Sequence, residues 1–590
     1  MGLIINSFSD GWQNKARREL MKDSALYMCE DLTLDEIGSL GCRYKHTEDS
    51  YFANQTLAGK IRDLLVFYVE GLDHKLVYYR IGTTLYCWNS YTEYTRTVSI
   101  SMTKEHITGA MLRPELSENS HIYITDGLTM FSDSGSADYA WGIDPPDNLP
   151  LVSMAGSGGN LSAGGYSYRY TFYDNDTGAE SDPSVVSATT TASANDLATI
   201  SHIQVSSNPR VTSRKLYRTL ANGGVWYLVT TLNDNVTTEI EDSKLDANLT
   251  TELNTDQGIP PYGDVVVAYK NRLFLTGNTD YPNRVWYSDS DSPDNWDSLN
   301  YLEVGTTNSR IMNIVEFEGK LYFIQTDGIC GLYGSDENTF AWHKTRSHVG
   351  VSARWSCSAG PDGIYFMSHD GVYRFDGLKS IRISESIDRT FGIKPDIWTE
   401  IVDQETANAT TRGDFLLGVY YLLVPMSDST GIVTNRLLTY DTFSQVWTKY
   451  LFDGSCLCTD ARKGKILAGR LRFSAFHYTI YELMNSINIH DNTAHPRFVT
   501  KTYTIANTED SNSVGWLRRF RVDCIGAWTL RFYVDGLLVY TKILTNQTAH
   551  TRYQWYSFEP QIKGRYMFVY AEAPQGSTTY EDVFYEMEVT

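Results

Sequence analysis

A chain of 590 residues is long enough for several domains, and its 13% aromatic content, with 41 tyrosines, favours β-sheet over helix. The formal net charge of −21 is spread along the sequence, which disfavours a general binder of nucleic acid. Eight scattered cysteines indicate free thiols in a reducing compartment. The longest apolar run, 64–69, is too short to cross a bilayer, so no membrane association is expected.

The N-terminal segment, residues 1–54, is predicted to dock on the main domain or to close it. Asp10 is suited to cap a short helix that runs to Leu20, because Gln13 stands three residues on and completes a capping box. The first 30 residues contain many charges and no continuous apolar stretch, so a signal peptide is not expected.

The most informative pattern is a repeated β-hairpin. Alternating apolar runs meet at Asp327-Gly328 and again at Asp370-Gly371, and Asp-Gly favours the type I′ turn that joins two antiparallel strands. The two turns are about 43 residues apart, which is the spacing of a four-stranded propeller blade. The same signal recurs at Asp126-Gly127 and, more weakly, at Gly82-Thr83.

These hairpins predict a mainly β chain built on a β-propeller of about seven blades. Residues 55–150 would form the first blades and residues 259–492 the remaining blades, with further hairpin loops near residues 284, 427–431 and 470–474. A short helical connector is expected at 384–391.

Residues 151–258 interrupt the repeat and predict an inserted domain. Prolines 145–146 and 260–261 mark its two ends. Alternate positions place four aromatic side chains on one strand face, which is typical of a half-buried antiparallel strand: Tyr166, Tyr168, Tyr170 and Phe172. Several short strands with Gly, Asn and Asp turns in about a hundred residues favour an immunoglobulin-like or fibronectin-like β-sandwich.

The last segment, residues 493–590, is also predicted to be a β-sandwich. Its clearest strand carries apolar side chains at alternate positions before an Asp535-Gly536 turn: Trp528, Leu530, Phe532 and Val534.

The sequence carries none of the common motifs for catalysis or cofactor binding. The sequence contains no phosphate loop, no HExxH and no GxSxG, and the glycine-rich stretch 156–165 leads into a strand, so it is interpreted as a linker. Cys456 and Cys458 form a poor metal site because no second pair or histidine cluster accompanies them. We therefore expect no enzyme, no catalytic residue, no cofactor and no metal.

Two acidic loops leave one alternative open, which is calcium binding. Oxygen ligands at alternate positions suit calcium, but neither loop has the full twelve-residue pattern, and acidic turn residues in solvent are the commoner explanation. The first loop contains Asp174, Asp176, Glu180 and Asp182, and the second contains Asp289, Asp291, Asp294 and Asp297.

Several segments resemble one protein family. ALYMCEDLTLDEIGSLGCRYKHT at 25–47 looks like the opening of the tail nozzle proteins of short-tailed bacteriophages, the podoviruses, which are also called tail tubular protein B. GGYSYRYTFYDNDTGAESDPS at 164–184, RKLYRTLANGGVWYLV at 214–229, YKNRLFLTGNTDYPNRVWYSDSDSPDNW at 269–296 and YFMSHDGVYRFDG at 365–377 are similar to recurring segments of such tail proteins.

The resemblance implies a structural virion protein, assembled in the host cytoplasm and located in the tail. It implies a homo-oligomeric ring of six propellers that docks to the portal or adaptor, supports fibres or a needle, and conducts genomic DNA during ejection without binding it specifically. A lumen lined by carboxylates would repel the phosphates of that DNA. The alternatives are a receptor-binding or glycan-cleaving tail propeller and a host adhesion or ligand-binding propeller, because propellers serve many functions.

Overall fold

The structure is a computed structural model that describes residues 3–5, 8–15, 17–33, 40–42, 44–52, 57, 59–69, 74–104, 106–112, 121–387, 409–427, 433–472, 477–490, 495–505, 514–547, 554–574 and 583–590. More than half of the chain lies in β-strands, which confirms the prediction of a mainly β chain. The described residues include single-turn 3-10 helices at Arg18–Leu20, Asp246–Asn248 and Glu385–Ile387. No helix within the described ranges is long and apolar enough to span a bilayer.

The N-terminal segment contains six short strands, β1 (Leu3–Ile5), β2 (Gly11–Trp12), β3 (Ala25–Glu30), β4 (Leu32–Thr33), β5 (Leu40–Cys42) and β6 (Tyr44–Glu48), among its described residues. Where a helix was predicted from Asp10 to Leu20, the structure has β2 and the 3-10 turn Arg18–Leu20. The helix prediction is wrong because β2 pairs in parallel with β3 and buries Trp12 in the core. The Asp10 carboxylate accepts hydrogen bonds from Lys22 and Ser24 and caps no helix.

Two four-stranded antiparallel sheets follow, each with its strands paired in chain order. The first consists of β7 (Ile61–Val69), β8 (His74–Ile81), β9 (Thr84–Asn89) and β10 (Tyr94–Thr97), and the second of β11 (Thr108–Leu112), β12 (His121–Thr125), β13 (Met130–Asp133) and β14 (Asp138–Ala140). The hairpins predicted at Gly82-Thr83 and Asp126-Gly127 are confirmed, and each joins the second strand of its sheet to the third.

The next eight strands pair only with one another in the described structure. They are β15 (Leu151–Met154), β16 (Gly164–Tyr166), β17 (Tyr168–Tyr173), β18 (Thr190–Ala192), β19 (Ala198–Ser201), β20 (Ser213–Thr219), β21 (Trp226–Leu232) and β22 (Ile240–Asp242). They form three small sheets, β15-β19-β22, β16-β18 and β17-β20-β21. The four aromatic side chains predicted to share a face are all buried in one hydrophobic cluster.

Three more four-stranded sheets occupy residues 265–382, again with strands paired in chain order. The first of these sheets consists of β23 (Val265–Tyr269), β24 (Arg272–Thr276), β25 (Arg284–Tyr287) and β26 (Tyr301–Glu303). The second consists of β27 (Ile311–Phe317), β28 (Lys320–Gln325), β29 (Ile329–Tyr333) and β30 (Ala341–Lys344). The third consists of β31 (Ala353–Gly360), β32 (Gly363–Ser368), β33 (Gly371–Phe375) and β34 (Ser380–Arg382). Asp327-Gly328 also lies between second and third strands, and Asp370 lies in the turn before β33, whose first residue is Gly371. The connector predicted at 384–391 is a single 3-10 turn, and its residues 388–391 lie outside the described ranges.

Two further groups of strands complete this pattern. The meander β35 (Arg412–Leu416), β36 (Val419–Ser427), β37 (Val433–Asp441) and β38 (Val446–Tyr450) is followed by β39 (Gly454–Asp460), β40 (Lys465–Arg472) and β41 (His477–His490). The fourth strand of the second group is β6 from the N-terminal segment, which pairs with β41. Residues separated by most of the chain therefore form one sheet.

The C-terminal strands continue the sheet of β38 through β3. They are β42 (Arg497–Thr500), β43 (Tyr503–Thr504), β44 (Gly515–Val534), β45 (Leu537–Gln547), β46 (Trp555–Gly564), β47 (Tyr566–Glu572) and β48 (Val583–Val589). The whole is a sixteen-stranded sheet, and the 20-residue strand β44 pairs with β45, β46, β47 and β48. The apolar face predicted for β44 is buried in the largest hydrophobic cluster.

The first strands of the seven meanders pack in a closed order. β7 lies against β11, β11 against β23, β23 against β27, β27 against β31, β31 against β35, β35 against β39, and β39 against β7. The cycle omits β15–β22, which stand outside it.

The observed turn type differs from the predicted type I′ at three of the four Asp-Gly turns. None of Asp126, Asp327 and Asp370 has a positive φ, although Gly127 has φ 88°. At the fourth turn Asp535 has φ 50° and Gly536 has φ 84°, as type I′ requires. The carboxylate of Asp126 accepts hydrogen bonds from the backbone N–H groups of Leu128 and Thr129, so this loop is a side-chain-capped turn and not type I′. Positive φ at both central positions also occurs at Lys270-Asn271, Glu318-Gly319 and Leu417-Gly418, each between the first and second strands of its meander.

Candidate functional site

A polar pocket of about 470 Å³ lies where β7, β35 and β39 begin. Because these are first strands of their meanders, the pocket is at one end of the cycle of first strands; we call it the mouth pocket. Its lining includes cationic, hydroxyl and amide groups and one carboxylate: Lys60, Arg62, His106, Thr410, Arg412, Thr434, Asn435, Asp453 and Ser455. The volume falls in the range of small-molecule sites.

A buried ion pair supports the pocket from behind. Nε of Arg80 lies 2.7 Å from Oδ2 of Asp63, and both side chains are buried. Nδ1 of His106 lies 3.1 Å from the other oxygen of Asp63. Asp63 is on β7 and Arg80 on β8, so one sheet supplies the pair that positions the imidazole.

His106 also links this sheet to two others. Nη2 of Arg412, on β35, lies 2.6 Å from Nε2 of His106, and the imidazole meets the Trp355 ring of β31 edge-on at 5.3 Å between centroids. Burial lowers the pKa of His106, and the nearby charge of Arg412 lowers it further, against the opposing effect of Asp63. The imidazole is therefore mainly neutral at neutral pH.

The rim of the mouth pocket is open to a ligand. Lys60 and Arg62 are exposed, and neither forms an ion pair with a carboxylate of the described residues. Asp453 accepts a hydrogen bond from the backbone N–H of Asn435 at 3.0 Å. Cations beside hydroxyl and amide groups are suited to bind a small anion that also carries hydrogen-bonding groups. Sequence inspection missed this pocket because its members come from distant strands and share no motif.

The two acidic loops meet each other on one arginine, Arg210. Nε of Arg210 lies 3.1 Å from Oδ2 of Asp174, and Nη2 lies 2.7 Å from Oδ2 of Asp294. Tyr123 donates a further hydrogen bond to Asp294 at 2.9 Å, and all four side chains are buried. A guanidinium thus stands between carboxylates that were considered as calcium ligands, and no sequence signal had singled it out.

The charge of Arg210 controls the protonation of its partner. Burial alone would raise the pKa of Asp294, but the charge and hydrogen bonds of Arg210, with hydrogen bonds from Gly142 and Tyr123, lower it. Asp294 is therefore ionised at neutral pH and forms a buried ion pair.

The other acidic side chains that were considered as ligands have separate environments. Glu180 accepts hydrogen bonds from Thr171, Tyr217 and Lys215, and Asp182 accepts one from the backbone of Gln257. Within the described ranges no three His, Cys, Asp or Glu side chains converge as a metal site. Burial and the neighbouring Asp297 raise the pKa of Asp289 to about 6.

Cys456 and Cys458 lie on β39 beside the mouth pocket and form no disulfide. Burial raises the pKa of the Cys456 thiol to about 12. A thiol that stays protonated at neutral pH is a weak nucleophile and a weak metal ligand.

Comparison with known proteins adds little to this geometry. No family model matches the chain, and no curated protein matches it. Among solved structures it is similar to BBS1N in complex with ARL6DN, with 8% identity, TM-score 0.25 and coverage of 75% of this chain and 98% of that chain. It is also similar to the extracellular domain of a one component system from B. thetaiotaomicron, with 9% identity, TM-score 0.24 and coverage of 95% and 80%. An exo-beta-1,3-galactanase from Phanerochaete chrysosporium matches with 9% identity, TM-score 0.16 and coverage of 64% and 93%. TM-scores this far below 0.5 define neither the fold nor the function of this chain.

Proposed function

We propose that this chain is a structural virion protein, the tail nozzle subunit of a short-tailed phage. In this proposal six copies form a ring that docks to the portal or adaptor, carries fibres or a needle, and conducts genomic DNA during ejection. The segments at 25–47, 164–184, 214–229, 269–296 and 365–377, which resemble tail proteins, support the assignment.

In the same proposal each subunit is a seven-bladed β-propeller. Six four-stranded sheets and the meander β35–β38 supply the blades, and the closed order of first strands supports their arrangement around one axis. Strand β6 would close the propeller of each subunit, because it completes the last blade by pairing with β41. β15–β22 would be the inserted β-sandwich of 151–258, and β42–β48 would belong to a C-terminal β-sandwich of 493–590.

The observation that carries the structural role is a set of buried ion pairs, which join the insertion of 151–258 and the two terminal segments to the four-stranded meanders. Arg210 binds the insertion to the body through Asp294. Glu30, on β3, pairs with Lys449 of β38 at 2.8 Å and with Arg497 of β42, where three segments meet in one sheet. Buried pairs that lose a partner are costly, so these joints resist separation. A rigid wall has this property.

The net charge of −21 fits the role of a conduit. If carboxylates line the lumen of the ring, DNA phosphates are repelled from the wall and the strand passes without adhering. The electrostatic potential along the lumen of an assembled ring tests this part of the proposal, and a neutral or positive lumen would refute it.

The decisive experiment is the mass and shape of the purified protein. We expect light scattering to give roughly 400 kDa, six times the chain mass of 66.8 kDa, and electron microscopy to show sixfold rings. Antibodies against the chain should label the distal tail of intact virions. A monomer or trimer at all concentrations, or a protein absent from virions, would rule out the proposal.

The mouth pocket favours a second candidate, a receptor-binding or glycan-cleaving tail propeller. Its exposed Lys60 and Arg62 beside Ser455 and Asn435 suit an acidic saccharide. Glycoside hydrolysis generally needs two carboxylates, and the described lining contributes Asp453 alone, so binding is the better-supported activity.

Titration with a uronic acid oligosaccharide tests this second candidate. Binding that falls at least tenfold in a Lys60→Ala/Arg62→Ala variant, but persists in an Arg462→Ala/Lys463→Ala variant, would support it. Equal binding by both variants would refute it.

A further inference from the structure

An open groove of about 910 Å³ separates the N-terminal segment from the C-terminal strands. Its lining includes three arginines and three aromatic rings: Arg17, Arg18, Arg565, Tyr27, Tyr566 and Phe568. We call it the arginine groove. It lies on different strands from the mouth pocket, and neither the acidic loops nor the mouth pocket contributes to it.

The arginines of the groove are available for an incoming anion. None of them forms an ion pair with a carboxylate of the described residues. The one acidic side chain in the lining, Asp535, accepts hydrogen bonds from the backbone N–H groups of Arg565 and Tyr566. Three guanidiniums beside one carboxylate leave a local positive charge in a chain whose net charge is −21.

Arg18 is held in place before any ligand arrives. Its guanidinium carbon lies 4.2 Å from the centre of the Tyr27 ring and 4.6 Å from that of Phe568. Phe568 is itself stacked on Tyr533 at 4.7 Å. These two cation–π contacts restrict the Arg18 side chain, which lowers the entropy cost of binding a carboxylate.

Exposed apolar side chains flank the groove. Leu20, two residues from Arg18, is 76% exposed, and Leu537 and Leu538 at the start of β45 are 72% and 52% exposed. In the described structure β45 pairs only with β44, so its outer edge is open. Arginine and aromatic side chains around a cleft, with exposed apolar side chains and an open strand edge beside it, are typical of a protein-binding surface.

We propose that the arginine groove is the docking site for an acidic segment of a second copy of this chain. The charge of the chain favours this occupant, because a protein with a net charge of −21 presents a mainly acidic surface to a cationic groove. The inference rests on the proposed ring, since it names the surface through which neighbouring subunits meet.

The test is the effect of charge reversal on assembly. In an Arg17→Glu/Arg565→Glu variant the association between subunits should weaken at least tenfold, and light scattering should show a shift towards the 66.8 kDa monomer. The matched control is Arg462→Glu/Lys463→Glu, which makes the same change of charge at an exposed turn between β39 and β40. The control should assemble like the unmodified protein. Moderate salt should also weaken assembly of the unmodified protein.

A second variant guards against misfolding of the first. Leu537→Asn/Leu538→Asn alters only exposed positions, so it should keep the melting temperature of the unmodified protein and still weaken association. Normal assembly of both groove variants would overturn the inference while leaving the ring intact. The unmodified protein could instead form an oligomer with a copy number other than six, which the groove variants dissociate. That result would support the arginine groove as the contact between subunits and would refute the six-subunit ring. A protein that is monomeric without substitution, or whose groove binds a short oligonucleotide in place of a second copy, would overturn it.

Discussion

Nη2 of Arg210 lies 2.7 Å from Oδ2 of Asp294, although the two residues are 84 positions apart in the chain. The contact joins the strands of 151–242 to the sheet of β23–β26, and Asp174 completes it from the insertion side. One buried cation therefore pairs with a carboxylate from each of the two loops whose composition had raised the possibility of calcium.

Replacement of Arg210 by Met should destabilise the protein strongly. The substitution keeps most of the side-chain volume but leaves Asp174 and Asp294 buried without their cation, which costs about 3–5 kcal/mol in comparable cases. The melting temperature and the urea midpoint should both fall. Lys15→Met is the matched control, because the Lys15–Glu385 pair is exposed and its loss should change the stability by less than about 0.5 kcal/mol. Equal effects of the two substitutions would contradict a stabilising role for Arg210.

Glu30→Gln should destabilise the protein at neutral pH but not in acid. Burial alone would raise the pKa of Glu30, but Lys449 and Arg497 outweigh that effect and hold it below its ordinary value of 4.5. The stability that the carboxylate contributes is present above pH 4.5 and is lost as the pH falls through the lowered pKa.

Denaturant unfolding at several pH values measures this difference. We expect the variant to be less stable by about 3 kcal/mol or more at pH 7, with a gap that narrows below pH 4.5. Glu303→Gln changes a carboxylate that is 59% exposed and pairs with Arg284, so solvent screening should keep its effect on stability small at any pH. A gap that stays constant into acid would show that Glu30 acts by packing and not by charge.

Asp289→Asn should stabilise the protein at neutral pH. Burial and Asp297 raise the pKa of Asp289 from 3.8 to about 6, so the native state pays a penalty for ionisation that grows between these values and is complete above pH 6. The full shift corresponds to about 3 kcal/mol, and solvent screening of this half-buried group reduces the expected gain to about 1–2 kcal/mol.

The gain from Asp289→Asn should vanish near pH 4, where the native carboxyl group is protonated. Asp297→Asn provides the complementary measurement, because removal of its charge should lower the pKa of Asp289 in an NMR titration. A gain that persists unchanged at pH 4 would mean that the amide stabilises by other contacts.

Gly277→Ala should disrupt the ion pair that Asp264 forms with Arg354. A Cβ at Gly277 would overlap Oδ1 of Asp264, whose two oxygens accept hydrogen bonds from Arg354 at 2.6 and 2.7 Å. Gly319→Ala separates this clash from backbone strain, since Gly319 also has a positive φ but open space at the Cβ position. We expect a loss of about 1 kcal/mol for Gly319→Ala and several for Gly277→Ala, measured by thermal unfolding. Equal losses would show that Asp264 moves aside freely.

Alternating apolar patterns predicted much of the secondary structure, because a strand with one buried face displays its period of two in sequence. The four hairpins at Gly82, Gly127, Gly328 and Gly371 lie at equivalent places in their sheets for this reason. The type I′ turns at Lys270-Asn271, Glu318-Gly319 and Leu417-Gly418 were missed, because these residue pairs are less usual at such turns than Asp-Gly and tertiary pairing imposes the conformation. The N-terminal helix was wrong for a similar reason: the burial of Trp12 outweighed a local capping signal.

The sites could not be predicted because their members meet only after folding. Arg210 lies in an ordinary turn sequence, and nothing near it indicates that Asp294 will become its partner. His106 and Arg412 are likewise 306 positions apart. Composition indicated the two acidic loops as candidates for calcium binding. The cation that lies between them is the guanidinium of Arg210, and its position depends on how the insertion packs.

Because β6 pairs with β41, this sheet can be completed only late in synthesis of the chain. The ribosome makes the fourth strand of this sheet first and the other three after about 400 further residues, which takes roughly 20–80 s at typical elongation rates. Throughout that interval Tyr44–Glu48 lacks its permanent hydrogen-bonding neighbour, so the nascent polypeptide must be shielded from wrong pairing until its final third emerges.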